Sequence, residues 1–307
     1  MTKVLVATDK PFAKVAVDGI KNVVETAGFE LVLLEKYTTQ DEFKAAVADV
    51  DAVIIRSDKA TSEIIEAGKN LKIIVRAGAG FDNIDLQACT DKGVVAMNTP
   101  GQNSNAVAEL ALGMMVMAAR NNYDGTSGTE LSGKKLGIHA FGNVGRLVAK
   151  IAKGFGMEVY AFDAFVSADK IKAEGVTPLN SVEELYSTCQ YISLHIPATA
   201  ETKNSINFSL LSKMPKGATL INTARAEVIN EQELAKIMVE RPDFKYYSDI
   251  AVKDITLFSD DYKNRFFNTP KKMGAQTSEA NINAGLAAAN QIVDFIKNGN
   301  KQFQVNK

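Results

Sequence analysis

The sequence predicts an α/β protein of two lobes, each built around its own parallel sheet. Short β-branched runs alternate with amphipathic stretches through the first hundred positions, and a second such series begins after a polar, glycine-rich interruption. At 307 residues the chain is also long enough for two hydrophobic cores, since single domains usually hold about 100 to 200 residues.

The first series contains the strands KVLVATD, FELVLLEK, DAVIIRS, LKIIVRAG and VVAMNT, separated by helical stretches. Strands spaced in this way imply βαβ units, and hence parallel pairing. Next comes NSNAVAELALGMMVMAAR (103 to 120), apolar on nearly every side and almost without charge beyond Glu109. Such a helix is buried all round, against both lobes or against a partner subunit, and is expected to be the interdomain helix. NNYDGTSGTELSG (121 to 133) has the composition of a linker. The second series runs KKLGIHAF, MEVYAFD, YISLHIP, ATLINTAR and FKYYSDI, followed by a helix over about 278 to 297. That last helix closes the second lobe or crosses back to the first, and periodicity leaves both open.

Composition narrows the function. Apolar residues make up 46% and charged residues 23%, and no apolar tract is long enough to span a bilayer. The N-terminus, MTKVLVATDK, reads as a first strand without signal-peptide features, so a cytoplasmic location is expected. Cys89 and Cys189 are the only cysteines and lie in unrelated segments, which argues against a disulfide framework, a redox pair or a metal site. The net charge of -1, with both signs interspersed, offers no basic stripe for nucleic acid. A small-molecule partner is expected.

The clearest chemical motif follows KKLGIHAF, where the chain reads Ala140-Phe141-Gly142-Asn143-Val144-Gly145. A strand, a glycine turn and a helix in this order aim backbone N–H groups at a pyrophosphate, as in Rossmann-like domains. Helical spacing predicts that Val144, Leu147, Val148, Ile151 and Phe155 are buried behind the turn. Ala140 stands where the fingerprint has its first glycine; its Cβ is harmless at negative φ and otherwise costs about 1 kcal/mol. Asp163 ends the next strand, 18 residues after Gly145. A carboxylate there accepts from the ribose hydroxyls and repels a 2′-phosphate, which favours NAD over NADP.

Five stretches then carry a resemblance that covers essentially the whole chain: RAGAGFDNIDL (76 to 86), NTPGQNSNAVAEL (98 to 110), ELSGKKLGIHAFGNVGR (130 to 146), SLHIPATAET (193 to 202) and INTARAEVINEQEL (221 to 234). The chain resembles the D-isomer-specific 2-hydroxyacid dehydrogenases, and within that family the branch acting on phosphoglycerate. The resemblance implies two Rossmann-like domains with parallel sheets and a discontinuous substrate domain. It puts the substrate domain at 1–99 plus 278–307, the NAD-binding domain at 100–277, and expects homodimers formed through the cofactor domains. The sequence stops at Lys307, where longer relatives continue into a regulatory domain, so serine feedback through such a domain is not expected.

Site residues follow from the same resemblance. Arg225, in NTAR, takes the place of the arginine that clamps the substrate carboxylate bidentately. Thr223 and Ala224 beside it, His195 and Pro197 in SLHIP, and Asp249 in YYSDI join Ala140, Gly142, Asn143, Val144, Gly145 and Asp163 as the expected cofactor-binding set. Asp254 stands where the family carries its catalytic glutamate, one methylene shorter and in poorly matched surroundings; a plain surface carboxylate is the alternative. The family's catalytic histidine is absent, since neither His139 nor His195 falls at its position. Family members read TPHxGAxT where this chain reads TPKKMGAQT (269 to 277). Counting forward from TP selects Lys271 and counting back from GAQT selects Lys272; the second is favoured, because GAQTSEA leads straight into a helix.

A lysine acid/base is chemically adequate with one consequence. An ammonium can donate to a carbonyl as hydride arrives, but oxidation needs the neutral amine, and an ordinary lysine pKa near 10.4 makes that form cost about 4 kcal/mol at pH 7.5. Burial and Arg225 would lower that value and Asp254 would raise it, so an alkaline optimum for oxidation is expected. On the substrate side the resemblance implies Arg56 with Ser57, the amides of Gly78 and Ala79, and Asn103, with Lys59 and Arg120 as weaker candidates. The expected reaction is NAD-dependent oxidation of 3-phospho-D-glycerate to 3-phosphooxypyruvate. The alternatives are reduction of glyoxylate, hydroxypyruvate or another 2-oxo acid, and a non-catalytic NAD(H)-sensing role.

Overall fold

The computed structural model describes residues 1–258, 262 and 264–306; Lys307, where the expected substrate domain ends, lies outside them. The chain forms two compact units, Met1–Asn103 with Gln276–Lys307, and Ser104–Ala275. In chain order the first unit contains β1 (Lys3–Thr8), α1 (Lys14–Thr26), β2 (Glu30–Glu35), α2 (Gln40–Val47), β3 (Ala52–Ile55), α3 (Ser62–Ala67), β4 (Ile73–Arg76), α4 (Leu86–Lys92) and β5 (Val95–Asn98). The second contains α5 (Ser104–Ala119), β6 (Lys135–His139), α6 (Asn143–Gly154), β7 (Glu158–Phe162), α7 (Ala168–Ala173), β8 (Thr177–Pro178), α8 (Val182–Thr188) and β9 (Tyr191–Leu194). It continues with α9 (Phe208–Leu211), β10 (Thr219–Asn222), α10 (Glu231–Glu240), β11 (Lys245–Ser248) and β12 (Phe266–Asn268), before α11 (Ser278–Asn298) returns to the first unit.

The first unit's sheet has the order β2-β1-β3-β4-β5, with every pair parallel. Alternation along β1 divides the core: Leu5 and Ala7 pack with Phe43, Val47, Ile64 and Ile65, whereas Val4 and Val6 pack on the other face with Ile20, Val24 and, from α11, Ala288 and Ile292. The C-terminal helix therefore completes the first unit. Thr277 caps its start by accepting from the Ala280 amide at 3.1 Å, and Gly299 in the left-handed region ends it. The order of strands reverses between β1 and β3, and crevices at such switch points, outside the carboxyl ends of the strands, are where open α/β sheets bind ligands.

The second unit's sheet runs β12-β11-β10-β9-β6-β7-β8, again parallel throughout. Counted from β6, this is the dinucleotide-binding order 3-2-1-4-5-6 with one strand added, and its switch point lies between β6 and β9. β8 and β12, two and three residues long, escaped the sequence reading because so short a run carries no periodicity. Two expectations change here. The glycine-rich segment after α5 belongs to the second unit and begins with a pinned turn, Lys245 Nζ donating to the Ala118 carbonyl (2.6 Å) and to Asn121 Oδ1 (2.9 Å). On α6 the buried residues are Gly145, Val148, Ala149 and Ala152; Val144, Leu147 and Ile151 are half-buried and Phe155 is 43% exposed. α5 packs on α6, β10 and β11 but leaves Asn105, Glu109 and Gly113 exposed. No helix among the described residues is long and apolar enough to cross a membrane.

Candidate functional site

The glycine turn after β6 has the geometry of an anion cradle, with one irregularity. Ala140 sits at φ +80°, so the residue in place of the first glycine takes the strained conformation and not the harmless one. Gly145 permits close packing of helix on strand: a Cβ there would stand 2.4 Å from the Ala140 carbonyl oxygen and 3.0 Å from Ile138. Gly142 is the opposite case, because its Cβ would meet nothing within 4 Å. That open space lies at the N-cap of α6, where no side chain caps the helix, so the first-turn amides of Asn143, Val144 and Gly145 remain for an anion.

Asp163 braces this turn. Its Oδ2 accepts from the Phe141 amide at 2.6 Å, and its Oδ1 from the amides of Phe165 (2.7 Å) and Val166 (2.9 Å). The carboxylate thus ties the loop after β7 to the glycine turn, in addition to any ribose contact. His195 follows β9 at the switch point; its Nε2 lies 3.0 Å from Ser193 Oγ, and its amide donates to the His139 carbonyl. His139 is buried with Nδ1 3.2 Å from Tyr186 Oη, and burial pushes its pKa down to about 4. Burial likewise lowers His195, to about 3. Both rings are neutral at physiological pH. Pro197 lies exposed beyond them.

Beyond the ends of β10 and β12 the unit brings two cations to one carbonyl. Arg225 Nη1 and Lys272 Nζ both donate to the Ala224 oxygen, at 2.9 and 2.7 Å. Asp249, wholly buried, accepts from the Gly274 amide at 2.7 Å; burial raises its pKa against the opposing pull of Lys272, of the Gly274 and Met273 amides, and of Arg225. Lys271 is tied in through its main chain, where its carbonyl accepts from Thr269 Oγ1 at 2.7 Å. Asp254 is exposed, and its Oδ1 accepts from the amide (3.0 Å) and hydroxyl (2.5 Å) of Thr256, capping the short 3-10 turn Ile255–Leu257. Two buried oxygens at the strand ends, Thr223 Oγ1 and Asp249 Oδ1, have no hydrogen-bond partner among the described residues. Buried polar atoms want partners, and together with the open cradle at Gly142 they fit a bound dinucleotide.

In the first unit, Arg56 follows β3 at the switch point. Its Nη1 donates to the carbonyls of Lys10 (2.9 Å) and Pro11 (3.3 Å), its Nη2 to Asn281 Oδ1 (2.5 Å), and its guanidinium lies 5.0 Å over the Phe12 ring. Ser57 beside it is exposed. The Gly78 amide is committed to the Arg76 carbonyl at 2.9 Å, which leaves exposed Ala79 as the more available amide of that pair. A Cβ on Gly78 would overlap the Arg76 guanidinium, whose Nε donates to the Arg56 carbonyl at 3.0 Å. Asn103 ends the turn before α5 and is half-buried; Lys59 and Arg120 are exposed. Arg76 and Asn281 were passed over at the sequence level. Arg76 stands inside the quoted RAGAG motif, but nothing local marks Asn281 as a partner of a residue 225 positions away.

Comparison with known proteins gives the family. The family model described as D-isomer specific 2-hydroxyacid dehydrogenase, NAD binding domain, matches residues 93–270. A hydroxypyruvate reductase of Thermotoga maritima is 36% identical over 283 residues, covering 86% of this chain and 90% of that protein. A D-3-phosphoglycerate dehydrogenase of Methanocaldococcus jannaschii is 34% identical over 277 residues; the match covers 84% of this chain and about half, 52%, of the relative's length. Among solved structures, an NAD+-bound 3-phosphoglycerate dehydrogenase of Entamoeba histolytica superposes with a TM-score of 0.88 at 48% identity, covering 100% of this chain and 99% of that one.

Proposed function

Because the chain belongs to the D-isomer specific 2-hydroxyacid dehydrogenases, an NAD-dependent family, we propose that it oxidises 3-phospho-D-glycerate to 3-phosphooxypyruvate, the entry to serine synthesis, and runs the reverse reduction. Support for this substrate comes from the 48%-identical phosphoglycerate dehydrogenase, matched over nearly the full length of both chains. The cofactor, when bound, accepts or returns the hydride at C2 of the substrate.

The single observation that carries the mechanism is the meeting of Lys272 and Arg225 on the Ala224 carbonyl. In this reading the guanidinium of Arg225 clamps the substrate carboxylate, which fixes the adjacent C2 oxygen. Lys272 donates a proton to that oxygen during reduction and accepts it back during oxidation. The α6 amides and Gly142 hold the pyrophosphate, Asp163 the adenosine ribose, and the rim formed by His195, Pro197, Thr223 and Ala224 the remainder of the cofactor. Arg56, with Ser57, Ala79 and Asn103, takes the substrate's far end, Arg56 its phosphate.

The test is NADH oxidation with phosphohydroxypyruvate, comparing wild type with Lys271→Ala and Lys272→Ala. Loss of turnover in Lys272→Ala alone, with NADH still bound, supports the assignment; equal activity of all three proteins overturns it. A second reading, reduction of hydroxypyruvate, is favoured by the Thermotoga maritima relative, matched over 90% of its length. Comparing phosphorylated with plain substrate at equal concentration separates the two.

The protein is further proposed to be a homodimer. Half-buried apolar side chains, Leu110, Val116 and Met117 on α5 and Val144, Leu147 and Ile151 on α6, flank exposed Gly113 and Phe155 in the second unit, and a second copy would cover them. Light scattering of wild type against Leu147→Glu reads this directly: a dimer made monomeric supports the proposal, a wild-type monomer removes it.

A further inference from the structure

The acid/base position of this chain is not the only one that departs from its family. The carboxylate expected to accompany it, Asp254, is exposed and spends its oxygen on Thr256. The carboxylate that lies against the lysine turn is Asp249. It is fully buried at the end of β11, its Oδ2 takes the Gly274 amide at 2.7 Å, and the positive charges acting on it are Lys272 and Arg225. A Cβ on Gly274 would stand 2.7 Å from that same Oδ2. Glycine follows Met273 because the carboxylate occupies the inside of the turn.

We propose that Asp249 is the positioning residue of this active site: its buried carboxylate fixes the Lys272–Gly274 turn through the Gly274 amide and holds the Lys272 ammonium beside Arg225 by charge. The inference rests on the reading of Lys272 as the acid/base. Nucleophiles and bases in active sites are commonly oriented by a third group hydrogen-bonded behind them. Here that group acts on the turn's main chain as well as on the charge. Arg225 and Lys272 are the charged groups that face it, with the Ala224 carbonyl as their common acceptor.

A role in cofactor binding alone predicts something different, and a double-mutant cycle separates the two. Wild type, Asp249→Asn, Lys272→Ala, the double variant and Gly274→Ala are compared for thermal midpoint, NADH Kd by fluorescence, and kcat and KM for reduction of phosphohydroxypyruvate. Asp249→Asn is expected to lower kcat about 100-fold while NADH Kd moves less than about threefold, and to add less than about threefold in the Lys272→Ala background. Gly274→Ala, which crowds the carboxylate, should reproduce the loss of kcat. Wild-type kcat in Asp249→Asn beside a Lys272→Ala of measurable but strongly reduced kcat overturns the inference and leaves the acid/base reading standing. So does a loss that lies in NADH affinity, or one that multiplies in full with Lys272→Ala. A Lys272→Ala variant as fast as wild type overturns both.

Discussion

Lys272 donates its ammonium to the carbonyl of Ala224 at 2.7 Å, the oxygen that also accepts from Arg225. Lys271, its neighbour, is held through its own carbonyl by Thr269. The two lysines are therefore not equivalent, although the sequence offers both. Arg225→Lys should keep the charge yet lose the planar fork that grips a carboxylate, and so raise KM for the 2-oxo acid by about 10-fold or more with NADH binding unchanged. Steady-state kinetics of that variant would show it, and an unchanged KM would remove Arg225 from the clamp.

Ala140 at φ +80° stores strain at the nucleotide turn. Ala140→Gly relieves it and is expected to stabilise the fold by about 1 kcal/mol, less the entropy that glycine adds to the unfolded chain. Urea unfolding compared with wild type measures the gain; a destabilised variant would contradict the left-handed assignment.

The two glycines of the same turn should separate fold from ligand. Gly142→Ala adds a methyl where no described residue beyond its own chain neighbours lies within 4 Å, so its unfolding midpoint should match wild type while NADH affinity falls about 10-fold or more. Gly145→Ala drives a methyl to 2.4 Å from the Ala140 oxygen and should cost about 1 to 3 kcal/mol of stability. Paired melting curves and NADH titrations distinguish these outcomes.

Acid should destabilise the second unit through buried His139. Burial holds His139 at about 4 in the folded state against the ordinary histidine value of 6.5, so on acidification the unfolded chain takes up the proton first. The stability this neutral ring contributes is fully present above pH 6.5 and is lost as pH falls toward 4, about 3 kcal/mol in all and about 2 kcal/mol of it by pH 5. His139→Gln should flatten the fall in unfolding free energy between pH 7.5 and 5. An equally steep fall in the variant would assign the acid sensitivity elsewhere.

Arg56 spends its guanidinium on two carbonyls and on Asn281. If it also holds the substrate phosphate, Arg56→Lys, which keeps the charge but loses the fork, should cut kcat/KM for phosphohydroxypyruvate about 10-fold or more and leave hydroxypyruvate within about threefold. Equal losses on both substrates would mark Arg56 as a brace for the β1–α1 loop.

What the sequence determined by itself is whatever repeats locally. The alternation of strand and helix, the order strand, glycine turn, helix and Asp163, and the segment around Arg225 are all written in adjacent residues, because main-chain pairing and helical burial are periodic over a few positions. Tertiary structure decided the rest. The backbone of Ala140 is set by the strand and helix it joins, and the Gly78 amide by the fold of its own turn. The exposed side of α6 was misread because helical spacing identifies an apolar stripe without saying what covers it. The proposed roles of Lys272 over Lys271 and of Asp249 over Asp254 rest on loops after β10, β11 and β12 that come together from distant parts of the chain, Lys272 meeting an acceptor 48 positions away. No local pattern carries a contact of that length, since closing it depends on the packing of the whole sheet beneath.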